Sequence, residues 1–276
     1  MSEVKISTAD IQKLREMTGA GMMDCKKALI EAEGDFQGAI DELRKKGIAK
    51  AAKREDREAR EGVVIAQTSA DQTKGIIVAL QCETDFVARN EGYIALAQKM
   101  ADIALANYPT SLEALLDLPF EAGVSIREKV GEQNGVIGEK VELGRYERIE
   151  GAQVVTYNHS NRKRSVLLAL NKAGFEEAGR NLAMQIAAMN PVSVSKDDID
   201  PKIVEKEIEI GKELARNEGK AEDMLEKIAL GRLNKFFQEN TLLGQKYVKN
   251  NDQTVDQYLQ SLEKGLTVTG FKHVAI

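Results

Sequence analysis

Glu83 and Asp85 stand two residues apart, directly after an apolar run, with Phe86 beside them. Carboxylates at alternate positions of an extended chain share one face, so the pair has the spacing of a general acid and base. Little else completes such a site. The chain has no GxxxxGK[ST], no GxGxxG after a strand and no GxSxG, which removes the phosphate-loop, dinucleotide and serine-hydrolase signatures. Its two histidines, His159 and His273, lie far apart without cysteine or carboxylate neighbours at metal-ligand spacing. Catalysis would need a carboxyl with a strongly raised pKa and something for it to act with. The other reading is that this segment binds rather than reacts.

The run before these residues, Gly75 to Cys82, is β-branched and apolar and predicts a buried strand. Glu83, Thr84 and Asp85 end it, which leaves Phe86 on a polar loop at the strand's C-terminal end. Such positions serve binding; a single phenylalanine there can equally cap a local core. A repeat weighs between the two. Strands at Val63–Ala66 and Gly75–Cys82 precede a helix over Ile94–Asn107 and Pro109; strands at Val154–Tyr157 and Ser165–Asn171 precede a helix over Glu177–Met189 and Pro191. The first copy is longer by about eight residues, placed around Thr84 to Asn90. An addition at one strand end of a duplicated scaffold favours a contact role for Phe86.

The chain has 276 residues, 42% hydrophobic, enough for one large core or two. A net charge of -5 gives no general attraction to nucleic acid or an anionic membrane, so recognition rests on shape and local charge. Cys25 and Cys82 both sit in apolar runs and are expected as buried free thiols of a reducing compartment. The N-terminus lacks the blocks of a secretory signal and no 18 apolar residues run together, so a cytoplasmic protein without a membrane span is expected.

Three helical patterns fill residues 7–46. Ser7 with Asp10 forms a capping box before Ile11, Leu14 and Thr18; Cys25, Ala28, Leu29 and Ala32 line the second helix; Phe36, Ala39, Ile40 and Leu43 line a third that closes at Lys45, Lys46 and Gly47. Together they make a small bundle. Met22 and Met23 beside the Gly19-Ala20-Gly21 turn are adjacent, so at least one must point outward. Residues 48–61 read as a charged linker. Helical patterns at Ser111–Leu118 and from Val124 to about Gln133 precede a half-solvated strand at Lys140–Arg148. Asp200 to Asn240 predicts two amphipathic helices turning at Asn217-Glu218-Gly219, a hairpin that either dimerises or satisfies its seam internally. The helix Thr254–Leu262 and the strand Leu266–Val274 close the chain. The class is α+β, a three-helix bundle followed by two related α+β subdomains with an inserted helical hairpin. The expected divisions are 1–55, 56–140 and 141–276, with the hairpin at about 196–240.

Two segments, Leu14-Arg15-Glu16-Met17-Thr18-Gly19-Ala20-Gly21-Met22-Met23-Asp24-Cys25-Lys26-Lys27-Ala28-Leu29 and Gln81 to Asn90, resemble the signature motifs of the bacterial translation elongation factor Ts family. The resemblance continues through Val204-Glu205-Lys206-Glu207, Gly231-Arg232 and Val268-Thr269-Gly270-Phe271. It implies a ubiquitin-associated-like bundle, a two-part core and a guanine nucleotide exchange factor for elongation factor Tu that needs no cofactor or metal of its own. It further implies that Thr84, Asp85, Phe86 and Val87 enter the GTPase domain and disturb its Mg²⁺ site, that Leu14, Met22 and Met23 grip that domain, and that Val141 and His159 make further contacts. The segment Val130–Lys140 is longer than the family's Gly-Glu-Asn-Ile stretch, and the C-terminal helical module that some members carry is not expected here. The competing reading is a non-exchanging dimeric binding module, in which Phe86 would be dispensable.

Overall fold

In the computed structural model, which describes residues 6–52, 54 and 56–276, Ser7 opens the first helix with both halves of a capping box. Its hydroxyl accepts from the Asp10 N–H, and the Asp10 carboxylate accepts from the Ser7 N–H. This helix, α1 (Thr8–Thr18), ends at Gly19, whose φ of 70° suits glycine. With α2 (Met22–Glu31) and α3 (Phe36–Ala52) it encloses Leu14, Cys25, Ala28, Leu29 and Ala39.

The expected stop at Gly47 is absent, because α3 runs through it. Gly47 serves a helix crossing instead. A Cβ there would lie 2.9 Å from the Gly131 carbonyl oxygen, and one on Gly135 would lie 2.8 Å from the Gly47 Cα. Glycine lets the two backbones approach where any side chain would hold them apart.

The core begins with β1 (Glu61–Thr68) and β2 (Lys74–Cys82), an antiparallel pair. After the short α4 (Asp85–Ala88) come α5 (Glu91–Asn107), α6 (Leu112–Leu116), a small hairpin of β3 (Pro119–Glu121) and β4 (Val124–Ser125), α7 (Ile126–Ile137) and β5 (Val141–Glu150). β5 returns antiparallel to β2, so the sheet order is β1-β2-β5. β6 (Gln153–Asn158) and β7 (Arg164–Leu170) start the second sheet, followed by α8 (Glu176–Met189) and the hairpin of α9 (Pro201–Asn217) and α10 (Leu225–Asn240). A short ribbon of β8 (Lys246–Tyr247) and β9 (Asn250–Thr254), then α11 (Val255–Leu262), leads into β10 (Val268–Ala275). The second order is β10-β7-β6. The two small ribbons escaped the sequence reading: two- and three-residue strands and polar Asn250–Thr254 carry no alternation.

The two sheets pack face to face through Val64, Ile77 and Ala79 against Val154, Leu167 and Ala169. On the outer faces α5 covers Ile76, Val78 and Leu80, and α8 covers Val166, Leu168 and Leu170. Strands β2 and β7 are thus buried on both sides, which is why they read as unbroken apolar runs. The internal duplication is visible in the helix ends: α5 and α8 stop at Tyr108 (φ 48°) and Asn190 (φ 46°), each followed by proline. The extra length of the first copy is shared, contrary to the expectation that it lies wholly around Thr84 to Asn90. The strand-to-helix connection spans 83–90 against 171–175, and α5 has 17 residues against 14 in α8.

Candidate partner-binding site

The connection after β2 is an ordered turn of helix. Thr84 caps α4, its hydroxyl accepting from the Val87 N–H at 3.5 Å. Asp85 pairs with Arg89 one turn on, at 2.9 Å. Val87 and Ala88 turn towards the apolar cluster under α5. A four-residue helix cannot bury all its faces, so Phe86 is left outward and 85% exposed, the most exposed of the large hydrophobic side chains described.

Below it runs a polar anchor. Glu139, in the loop between α7 and β5, accepts from the Glu83 N–H (3.2 Å) and the Thr84 N–H (3.0 Å) with one oxygen, and from the Thr84 hydroxyl (2.6 Å) with the other. Glu83 accepts from the Lys140 N–H and, at 3.2 Å, from the Arg57 guanidinium. These bonds favour the carboxylate, and the Lys140 N–H foremost holds Glu83 below the usual carboxyl range. That is the wrong direction for a general acid. The two carboxylates are also turned to different partners, so the acid–base reading loses its geometry. Cys82 donates to the Thr84 carbonyl at 3.3 Å, and burial pushes its thiol up to about 11.

The turn between β6 and β7 lies alongside. Asn158 fixes it to β1, accepting from the Ala66 N–H at 2.8 Å and donating to the Ala66 carbonyl at 2.9 Å. His159 is exposed on this turn, with Nδ1 2.8 Å from the Tyr157 hydroxyl. Residues Ser160 to Lys163 share a cleft of about 250 Å³ with Asp85, Ala88 and Arg89 of the α4 segment. It is smaller than the roughly 300–1,000 Å³ of small-molecule pockets. The fold therefore brings the His159 turn and the Phe86 helix to one edge.

In the bundle both methionines of the turn face outward, Met23 at 65% exposure, so neither fills the core. Met17 is exposed too, a residue the sequence reading passed over although it lies in the same motif. Two motif positions lie elsewhere than a surface contact requires. Leu14 is fully buried at the bundle centre, and Val141 is 3% exposed, its N–H and carbonyl both bonded to the Asn134 side chain. Asn134 needs those bonds because it is itself buried. Glu139 and Arg57 were missed entirely.

Among the described residues no group of three His, Cys, Asp or Glu is arranged to hold a metal ion, and no helix is long and apolar enough to cross a membrane. A family model described as Elongation factor TS matches residues 83–276. The chain is 51% identical to the elongation factor Ts of Christiangramia forsetii, covering 99% of both chains. It is 50% identical to that of Flavobacterium psychrophilum over 98% of both, and 43% identical to that of Thermobifida fusca over 96% of both. The motif around Phe86, the fold that presents it and this similarity along nearly the whole length agree, and the chain belongs to the elongation factor Ts family.

Proposed function

We propose that α4 is the working part of this chain and that Phe86 acts as a wedge in its partner. As a member of its family the chain is a guanine nucleotide exchange factor for elongation factor Tu in translation elongation. In a GTPase the Mg²⁺ ion is the largest local charge at the phosphates, so a protein that favours the metal-disrupted state loosens GDP without covalent chemistry. Burying one phenylalanine is worth about 2 kcal/mol, which on a barrier corresponds to about thirtyfold in rate. Asp85 and Thr84 present polar groups beside the wedge, and Val87 seats it on the core. Coupling is reciprocal: whatever factor the chain removes from GDP affinity, GDP removes from the affinity of the chain.

The single observation carrying this reading is an 85% exposed phenylalanine on a short helix that is fully tied down beneath. An ordered support spares the entropy that inserting a mobile loop would lose. Met22 and Met23 supply an adaptable grip at the bundle, His159 a contact near α4, and Leu14 and Val141 act from within as support. The units at work are the bundle (1–55), a first core half (56–140) and a second (141–276) carrying the hairpin. The reading places the chain in the cytoplasm with its GTPase and without direct nucleic-acid contact. Exposed Ile203, Ile210 and Leu214, one stripe on α9, support self-association through the hairpin. The non-exchanging alternative leaves the exposure of Phe86 without a use.

The test is release of a fluorescent GDP analogue from elongation factor Tu in excess Mg²⁺, with the native chain and with Phe86→Ala. The native chain should accelerate release and the variant should do so roughly thirtyfold less. Equal acceleration by both would remove the wedge.

A further inference from the structure

The Phe86 helix has one turn, so its own hydrogen bonds cannot hold it; short isolated helices do not persist in water. What holds it comes from 55 residues further along, where Glu139 takes two backbone N–H groups and the Thr84 hydroxyl. All three bonds end on the residue capping α4 or on the one before it. Bonds to an ionised carboxylate are roughly twice as strong as neutral ones. Glu139 is only half-buried, and among the described residues its side chain bonds to this segment alone.

We propose that Glu139 is a positioning residue for nucleotide exchange, a carboxylate clamp that fixes the direction in which Phe86 projects; this rests on the wedge reading above. The clamp is itself braced. The Arg54 guanidinium donates to the Glu139 carbonyl at 3.2 Å and to the Asn134 carbonyl, and Glu83, in the clamped segment, accepts from Lys140, the residue after Glu139. The loop between α7 and β5, the end of β2 and the chain leaving the bundle thus meet at one knot beneath α4. Without the carboxylate, the Glu83 and Thr84 N–H groups turn to water, and Phe86 spends most of its time in directions that do not fit the partner.

Glu139→Gln keeps the size of the side chain but removes its charge: the amide oxygen accepts from the two N–H groups only as a weaker neutral acceptor, and the amide nitrogen can no longer accept from the Thr84 hydroxyl. Two arms decide the matter. In the isolated chain, amide hydrogen exchange over residues 83–88 should quicken in E139Q while β1, β2 and α5 stay as protected as before; F86A should leave that protection in place. In GDP release from elongation factor Tu, E139Q should lower the maximal acceleration about tenfold when Phe86 is present, and less than twofold in the F86A background. A residue that merely stabilises the fold would cost the same factor in both backgrounds. Unchanged exchange over 83–88, or equal losses with and without Phe86, would overturn the clamp. If F86A releases GDP as fast as the native chain, the wedge reading falls and the exchange arm alone still judges whether Glu139 orders α4.

Discussion

Cys82 sits at the root of the Phe86 helix, bonded to the Thr84 carbonyl and fully buried, and Cys25 is buried in the bundle. Burial raises both thiols, Cys82 to about 11, so near pH 8 neither is appreciably thiolate. A thiol reagent such as Ellman's should therefore find almost no reactive cysteine in the native chain and two in urea. Rapid native labelling of Cys82 would mean that the segment carrying Phe86 opens on its own and is not clamped. At this scale the sequence was unevenly informative. Phe86 could be read as a contact because three polar residues interrupt an apolar strand just before it. The buried thiols could be read from the apolar residues around them. Glu139 could not, because a carboxylate that accepts from backbone N–H groups needs no particular residue type opposite and leaves no pattern. Periodicity puts Leu14 on the inward face of its helix while the family resemblance makes it, with Val141, a partner contact; both side chains are buried, so such a role is exerted from within.

Between elements, the informative residues are glycines whose meaning depends on what lies across from them. Gly47 looks like a helix stop because glycine commonly follows the last turn. In the fold it is a crossing point, and the residue facing it, Gly135, belongs to a helix that sequence pattern alone cannot bring near. Gly135→Ala would place a Cβ 2.8 Å from the Gly47 Cα, a backbone atom that can move only if α3 and α7 separate. A loss of about 1–3 kcal/mol is expected in urea unfolding. Gly231→Ala is its counterpart. That glycine lies in α10 with open space where its Cβ would go and no positive φ, so alanine should stabilise by about 0.4–1 kcal/mol through the unfolded state. A Gly135→Ala variant that is no less stable than the native chain would mean that α3 and α7 do not cross at this glycine. Elements whose period is repeated over several turns or buried on both faces were recoverable in this way: α5, α8, α9, α10, β2 and β7. Ribbons of two to five residues were not.

Across the whole molecule, titration connects residues that share no contact. His273 on β10 has its Nδ1 2.9 Å from the Asn190 side-chain oxygen and its Nε2 buried without a hydrogen-bonding partner. Burial, with the neighbouring Arg164 charge, holds its pKa below the usual 6.5. The unfolded chain then binds the proton more readily than the folded one, so this contribution is present above about pH 6.5 and lost as pH falls through the folded value. Glu83, Glu128 and Asp10 are lowered by hydrogen bonds, from the Lys140 N–H, the Ser125 N–H and the Ser7 hydroxyl respectively, and their contributions vanish at lower pH still. On the basic side the sign is reversed. Burial raises Cys82 to about 11 and Tyr146 and Tyr247 to about 12, so their folded-state advantage holds below their usual values of 9.0 and 10.0 and is lost as pH rises. Stability should thus form a plateau between about pH 6.5 and 9, with a two-step fall on the acid side. The urea midpoint measured across this range would show it. His273→Gln should flatten the upper acid step, which begins as pH falls below about 6.5, and leave the lower one, since the glutamine carries no titratable proton. A step that persists undiminished in that variant would place the upper titration on another group, and the half-buried ring of His273 would not be its source.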